Sequence, residues 1–186
     1  MARPPVRRRR DNKLLDAIEA IEPVAWSGAV WRVVRQGRDP LQCSRSGGRW
    51  DDGTFDVLYT AQELDGAIEE MRFHLMRGQP IFPSQVRYRL HELNIALARS
   101  LRLLDLDALA ALALDTARYG QLSWQEKNAE YPRSQDVAEA AHFLDYDGLI
   151  LPSARHASLN VVVFCDRVPP QAMEAVADHG LVDWNG

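Results

Sequence analysis

Arg32, Tyr59 and Glu70 are the side chains with the most chemical potential, together with Arg49 on a Gly-rich turn. An arginine holds an anion, a tyrosine face covers a flat ring, and a carboxylate steadies a developing positive charge. The stretch that groups them runs Gly47-Gly48-Arg49-Trp50-Asp51-Asp52-Gly53, then the short apolar strand Val57 to Tyr59, then Thr60 and the segment to Met76. Thr60 and Glu63 stand as T-x-x-E, the spacing of a capping box, so a helix is expected to open at Thr60. Leu64, Ala67, Ile68, Met71 and Leu75 recur at helical spacing and form one apolar stripe. At about 100° per residue Glu70 falls roughly 60° from Ala67, at the stripe's edge, and His74 shares that edge one turn on. Glu69 falls towards solvent. Glu70 is therefore expected half-buried beside a pocket. The competing reading makes both glutamates ordinary surface charges.

Arg32 lies on an expected strand, Ala29 to Val34, between Val30 and Val34 on its own face. If that face is buried, the guanidinium needs an anion; if the strand is an edge, Arg32 meets solvent. Around these residues the chain alternates helices and strands irregularly. Asp11 is expected to cap a helix with Leu14, Leu15, Ile18 and Ile21 on its apolar face. Gln85 to Leu90 and Leu101 to Leu104 read as two strands, with a Pro-containing loop at 78–83 before the first. Asp105 or Asp107 is expected to start an Ala/Leu helix ending near Gly120, and Ser134 to cap a helix over 135–144. Leu149 to Leu151 and Leu159 to Cys165 read as buried strands, and Gln171 to Ala177 as a closing helix.

The class this implies is α+β, a mixed β-sheet core flanked by helices, because no regular βαβ alternation is present. A chain of 186 residues suits one domain. Five arginines among the first ten residues leave a charge of −9 on the remainder, out of −4 for the whole chain. Residues 1–10 are read as a basic, disordered arm and 11–186 as the folded domain. The arm could touch nucleic acid, but the acidic body argues against a large phosphate footprint. No apolar run follows the arm, and none approaches the ~18 residues of a membrane span, so a cytoplasmic protein away from membranes is expected. Cys43 and Cys165 show no metal-ligand spacing, so neither a disulfide framework nor a metal site is expected. A P-loop, an H-E-x-x-H run and a G-x-S-x-G elbow are all missing from the sequence. Gly47-Gly48 alone is a weak phosphate signal.

The order Gly47-Gly48-Arg49-Trp50, Val57-Leu58-Tyr59, Ala67-x-x-Glu70-x-x-x-His74, Leu151-Pro152-Ser153 and Asn160-Val161-Val162-Val163 resembles the RES-domain toxins of RES–Xre toxin–antitoxin pairs. Arg32 matches that family's opening strand arginine, and Gly120 to Trp124 its Gly-x-x-x-Trp segment more loosely. Asp51 departs from the family's usual Asn, and Cys165-Asp166 from its frequent Asn-Pro. The resemblance implies an ADP-ribosyltransferase-like fold and NAD as substrate, cleaved at its nicotinamide–ribose bond without a metal. ADP-ribose would pass to water, phosphate or a protein. It implies catalytic roles for Arg32, Tyr59 and Glu70, NAD contacts from Arg49, Ser153 and Asn160 as well, and an Xre-type helix-turn-helix antitoxin covering the active site. A non-enzymatic module binding nucleic acid or a partner is the alternative from another class.

Overall fold

The computed structural model describes residues 9–76, 87–121 and 127–184. Its elements are α1 (Asn12–Glu19), β1 (Val24–Arg35), β2 (Val57–Ala61), α2 (Leu64–Met76), β3 (Tyr88–Arg102), α3 (Leu106–Ala111), α4 (Lys127–Phe143), β4 (Gly148–Pro152), β5 (Leu159–Phe164) and β6 (Met173–Leu181). The strands form one sheet in the order β1-β2-β5-β4-β3-β6, and β3 also pairs with β1. The pairings β1-β2-β5-β4-β3 thus return on themselves, with β6 added at the side of β3. Among the described residues only β3 and β4 run parallel, Ser100 facing Gly148 to Arg102 facing Ile150. A parallel neighbour requires a long crossover, and α3 and α4 lie in that connection.

Alternation sets the two sides of β5. Val162 and Phe164 join a core with Leu14 and Ile18 of α1 and Val137 and Ala141 of α4. Val161 and Val163 join a second core with Val30, Leu58, Leu93 and Ile150. All four β5 residues are fully buried, and each such side chain contributes about 1.5–3 kcal/mol of transfer free energy. A third, smaller core sets Ala67 of α2 against Val33, Ala61 and Leu90, with Ile68 and Met71 packed around it. The stripe expected on α2 is therefore what docks it beside β1.

The α+β class and the buried strands at 149–151 and 159–164 agree with expectation. Asp11 caps α1 by accepting from Lys13 N–H at 3.0 Å, and Asp105 caps α3 by accepting from Ala108 N–H at 2.8 Å. Several boundaries differ. Thr60 does not open a helix: it lies in β2, its hydroxyl donates to Val161 O at 2.8 Å, and α2 starts at Leu64. β-Sheet pairing wins because Thr60 faces Val161 in the β2–β5 ladder. Ser134 is interior to α4, where its hydroxyl donates to Tyr131 O at 2.9 Å. α3 stops at Ala111, and a short 3-10 turn, Thr116–Arg118, replaces the expected continuation to Gly120. The two strands expected at 85–90 and 101–104 are one, β3; residues 85 and 86 and the loop 78–83 lie outside the described residues. Leu93, Ile95 and Leu97 alternate there with exposed Asn94, Ala96 and Ala98.

The chain closes with a strand, not a helix. Pro170–Ala172 makes one 3-10 turn, and β6 then pairs with β3 from Met173 facing Ile95 to Leu181 facing Arg89. The cysteines also differ from expectation: Cys43 and Cys165 form a disulfide. At the N-terminus Arg10 pairs with Glu139 at 2.6 Å and lies 3.9 Å over the ring of Phe143.

Candidate active site

A cleft of about 550 Å³ opens between α2, β1, β2, the turn at 47–50 and the loop after β4. That size accepts a ligand of dinucleotide dimensions. Arg32, Arg49, Tyr59, Glu70 and Asn160 all line it, and Ser153 stands directly behind Glu70.

Glu70 is the point where three elements meet. Its Oε1 accepts from the Ser153 hydroxyl at 2.7 Å and from Asn160 Nδ2 at 2.9 Å. Ser153 follows β4 and Asn160 is on β5, so antiparallel pairing of those strands brings the two donors together. Ser153 Oγ accepts in turn from Arg155 N–H at 3.1 Å and His156 N–H at 3.2 Å, which winds the loop around the hydroxyl. The N-terminus of α2 comes close to the same loop. A Cβ at Gly66 would stand 2.6 Å from Ser158 Oγ, so only glycine allows that approach. Among the described residues Glu70 Oε2 takes no hydrogen bond, and the side chain remains half-buried at the cleft wall. Glu69 points elsewhere, 3.3 Å from Arg72, with 41% of its side chain exposed.

Tyr59 presents its ring to the cleft while its hydroxyl is sunk into the preceding turn. The hydroxyl donates to Asp51 Oδ2 at 2.9 Å and accepts from Trp50 N–H at 3.0 Å. Burial, and then the charge of Asp51, push the phenol well above its usual value, so Tyr59 keeps its proton. Asp51 is fully buried and also accepts from Gly47 N–H at 2.7 Å and Gly48 N–H at 2.9 Å. These amides are therefore turned into the protein's own carboxylate and not towards a phosphate. The weak signal of Gly47-Gly48 is explained by this turn. Gln135 of α4 fastens it from outside, donating to Gly48 O at 2.8 Å.

The Arg49 guanidinium lies 4.9 Å from the ring centres of both Tyr119 and Tyr131. Flat aromatic faces attract a cation through the negative potential over the ring. Arg32 is steered by main-chain carbonyls: it donates to Pro40 O and, at 3.1 Å, to Gln42 O. Both acceptors are neutral. Burial lowers the guanidinium to about 10, with Asp39 opposing the shift, so Arg32 is a cation at neutral pH. Sequence reasoning missed Tyr119, Tyr131 and Gln135, because nothing local marks aromatic and amide side chains that reach a turn from distant elements. Asp51 was visible only as a departure. Trp124 lies outside the described residues.

A carboxylate fixed by a serine and an asparagine thus shares one cleft with two arginines on a mixed α+β frame. The sequence model of the RES domain matches residues 29–185, and the chain belongs to that family. Among individual relatives, NAD(+) phosphorylase MbcT of Mycobacterium tuberculosis and of Mycobacterium bovis are each 25% identical over 171 residues, covering 88% of both chains. A chain in the crystal structure of the M. tuberculosis MbcT–MbcA toxin–antitoxin complex superposes with a TM-score of 0.77 over 92% of this chain and 93% of its own. At 22% identity what it shares is the fold.

Proposed function

We propose that this chain is the toxin of a bacterial toxin–antitoxin pair and cleaves the nicotinamide–ribose bond of NAD, passing ADP-ribose to phosphate or water. The observation that carries the reading is Glu70, with Oε1 held by Ser153 and Asn160 in a cleft that also contains Arg32 and Arg49. Phosphate is the favoured acceptor because the curated relatives are named NAD(+) phosphorylases. Residues 11–186 form the catalytic unit in this reading, and the partner is an Xre-type helix-turn-helix antitoxin in the same cytoplasm. No helix among the described residues is long and apolar enough to cross a membrane. No group of His, Cys, Asp or Glu among the described residues has the composition of a metal site.

The chemistry follows from charge. As the C–N glycosidic bond breaks, its electron pair leaves with nicotinamide, now neutral, and the ribose carbon gains oxocarbenium character. A carboxylate about 4 Å from that charge is worth on the order of 4 kcal/mol at an effective dielectric near 20, about a thousandfold in rate. Glu70 supplies it with no reorganisation, since Ser153 and Asn160 already fix one oxygen. Arg32 and Arg49 take the pyrophosphate, and the Tyr59 ring packs on the nicotinamide riboside. A phosphate or water oxygen then bonds to the ribose carbon and releases its proton to solvent. The test is incubation of the purified full chain with NAD, with and without phosphate, following nicotinamide release and product mass. Nicotinamide release with a mass of ADP-ribose, or of its phosphate when phosphate is present, supports the reading. A mass gained by a protein instead indicates a mono-ADP-ribosyltransferase. No nicotinamide release at all overturns the enzyme assignment.

A further inference from the structure

We infer that His91 is a proton-linked positioning residue for the substrate's pyrophosphate: it stands beside Arg32 on the neighbouring strand and takes up a proton when an anion binds there. The inference rests on the proposed function, in which Arg32 receives the pyrophosphate, and deepens it.

Strand register makes the neighbours. Arg32 of β1 faces His91 of β3, and His91 faces Asp178 of β6. Directly opposed residues of antiparallel strands project from the same face, with Cβ atoms about 4.5–5.5 Å apart. Arg32, His91 and Asp178 therefore form one row across three strands, from the cleft to the last strand of the sheet. Arg89 joins the row by pairing with Asp178 at 2.7 Å, and Asp178 also accepts from Gly180 N–H at 2.9 Å. Asp39, after β1, is the other charge that acts on His91 among the described residues. Glu92, His179 and Trp31 belong to the opposite face, where His179 meets Glu92 at 3.1 Å and packs against the Trp31 ring.

His91 is 9% exposed, and among the described residues its ring has no hydrogen-bond partner. Burial holds its value below the ordinary imidazole range; Asp178 opposes that shift, Arg89 and Arg32 reinforce it, and Asp39 opposes it more weakly. The free protein therefore keeps His91 neutral at neutral pH. Arg32 donates through Nη1 alone, to the Pro40 and Gln42 carbonyls. An anion on this guanidinium cancels a charge that resists a proton on His91 and adds its own attraction. Binding then raises the imidazole's value and draws a proton in. By linkage, the anion binds more tightly once His91 is charged. The gain is small at neutral pH and above, where His91 is uncharged, and grows as pH falls.

The test is calorimetric titration of the full chain with ADP-ribose at about pH 7, 6 and 5, bracketing the imidazole range. Two buffers of different ionisation enthalpy at each pH count the protons taken up, and circular dichroism verifies the fold. ADP-ribose keeps a constant charge over this interval, since its pyrophosphate is fully ionised and its adenine neutral. The expected result is a Kd about fivefold lower at pH 5 than at pH 7, with roughly half a proton taken up per ligand in mid-range. His91→Gln stays polar and cannot titrate, so it should lose most of that fall and most of that uptake. A purely structural residue would change Kd or the folded fraction and leave the proton count alone; equal uptake in wild type and His91→Gln overturns the inference. Asp178→Asn is the second variant. It removes the carboxylate facing His91 and leaves Arg89 unpaired with it, both against an imidazolium, so the uptake should move to lower pH. An unmoved profile there, should His91→Gln not fold, also overturns the inference. Uptake on ADP-ribose binding by a protein that releases no nicotinamide from NAD sinks the enzyme reading and supports the role of His91. Nicotinamide release without proton uptake sinks the role of His91 alone.

Discussion

Glu69 and Glu70 are adjacent in the chain and opposite in circumstance, which makes them a matched pair for experiment. Glu70 is fixed by two donors at the cleft wall, whereas Glu69 reaches Arg72 at the surface. Glu70→Ala is expected to lower nicotinamide release by roughly a hundredfold or more, as loss of one preorganised electrostatic stabiliser does. Glu69→Ala should change it by less than about twofold. Equal losses in two folded variants would remove Glu70 from its proposed role. The helical arithmetic that separated these glutamates was legible in the sequence because α2 has a regular apolar stripe. The donors on Glu70 were not, since strand pairing over more than eighty positions brings them there. Arg32 allows a prediction in pH. Its folded value is lowered to about 10 from 12.5 by burial, so its charge is present below about 10 and lost above. NAD affinity that depends on this charge should hold from pH 7 to 9 and fall as pH passes about 10. The unfolded chain binds that proton more tightly, so Arg32's contribution to stability rises over the same interval. The decline in affinity is therefore not Arg32-driven unfolding. Calorimetric titration of ADP-ribose across that range, with circular dichroism to verify folding, reads the decline; Arg32→Ala should bind more weakly at pH 7 and show no such decline, and equal affinity in wild type and variant at pH 7 would show that Arg32 takes no anion.

The elements that sequence reasoning found are those whose neighbours do not matter. Val161 to Phe164 is apolar on both faces and could only be an interior strand, and Asp11 and Asp105 cap their own helices. β6 was missed because its residues, Met173 to Leu181, are all partly or fully exposed and include good helix formers. Pairing with β3 decides its conformation, and no local signal carries that information. The cysteines show the same limit. They are 122 residues apart, and the fold alone brings their Cα atoms to 6.5 Å. The bridge ties Cys43, next to Gln42, to the end of β5, so it secures the segment whose carbonyls hold Arg32. Closing a loop of this length is worth up to about 4–5 kcal/mol in the chain-entropy account. Dithiothreitol should therefore lower Tm and weaken ADP-ribose binding. Cys43→Ser should show both effects without the reagent and no further change with it. A Tm insensitive to both would mean the bridge carries no stability.

At the scale of the whole molecule the distribution of charge bears on control. Beyond the first ten residues the chain carries −9, yet the cleft presents Arg32 and Arg49 among its lining residues. An enzyme that destroys NAD endangers its own cell, so in the proposed reading the antitoxin must act on the folded toxin. In that reading the cleft arginines that bind the pyrophosphate are equally suited to a partner's side-chain or C-terminal carboxylate. Such pairs, desolvated in an interface, cost about 2–5 kcal/mol when one side is truncated. An antitoxin seated over the cleft would place its carboxylates on these arginines and exclude the substrate by occupying the same volume. NAD and antitoxin are thus expected to compete, and Arg32→Ala and Arg49→Ala to weaken both ligands together. Calorimetry of antitoxin binding, with and without a saturating non-cleavable NAD analogue, measures this directly. An apparent affinity that falls in proportion to the analogue concentration is the competitive result. The same affinity in both conditions would place the antitoxin on another surface, and inhibition would then have to reach Glu70 through the fold.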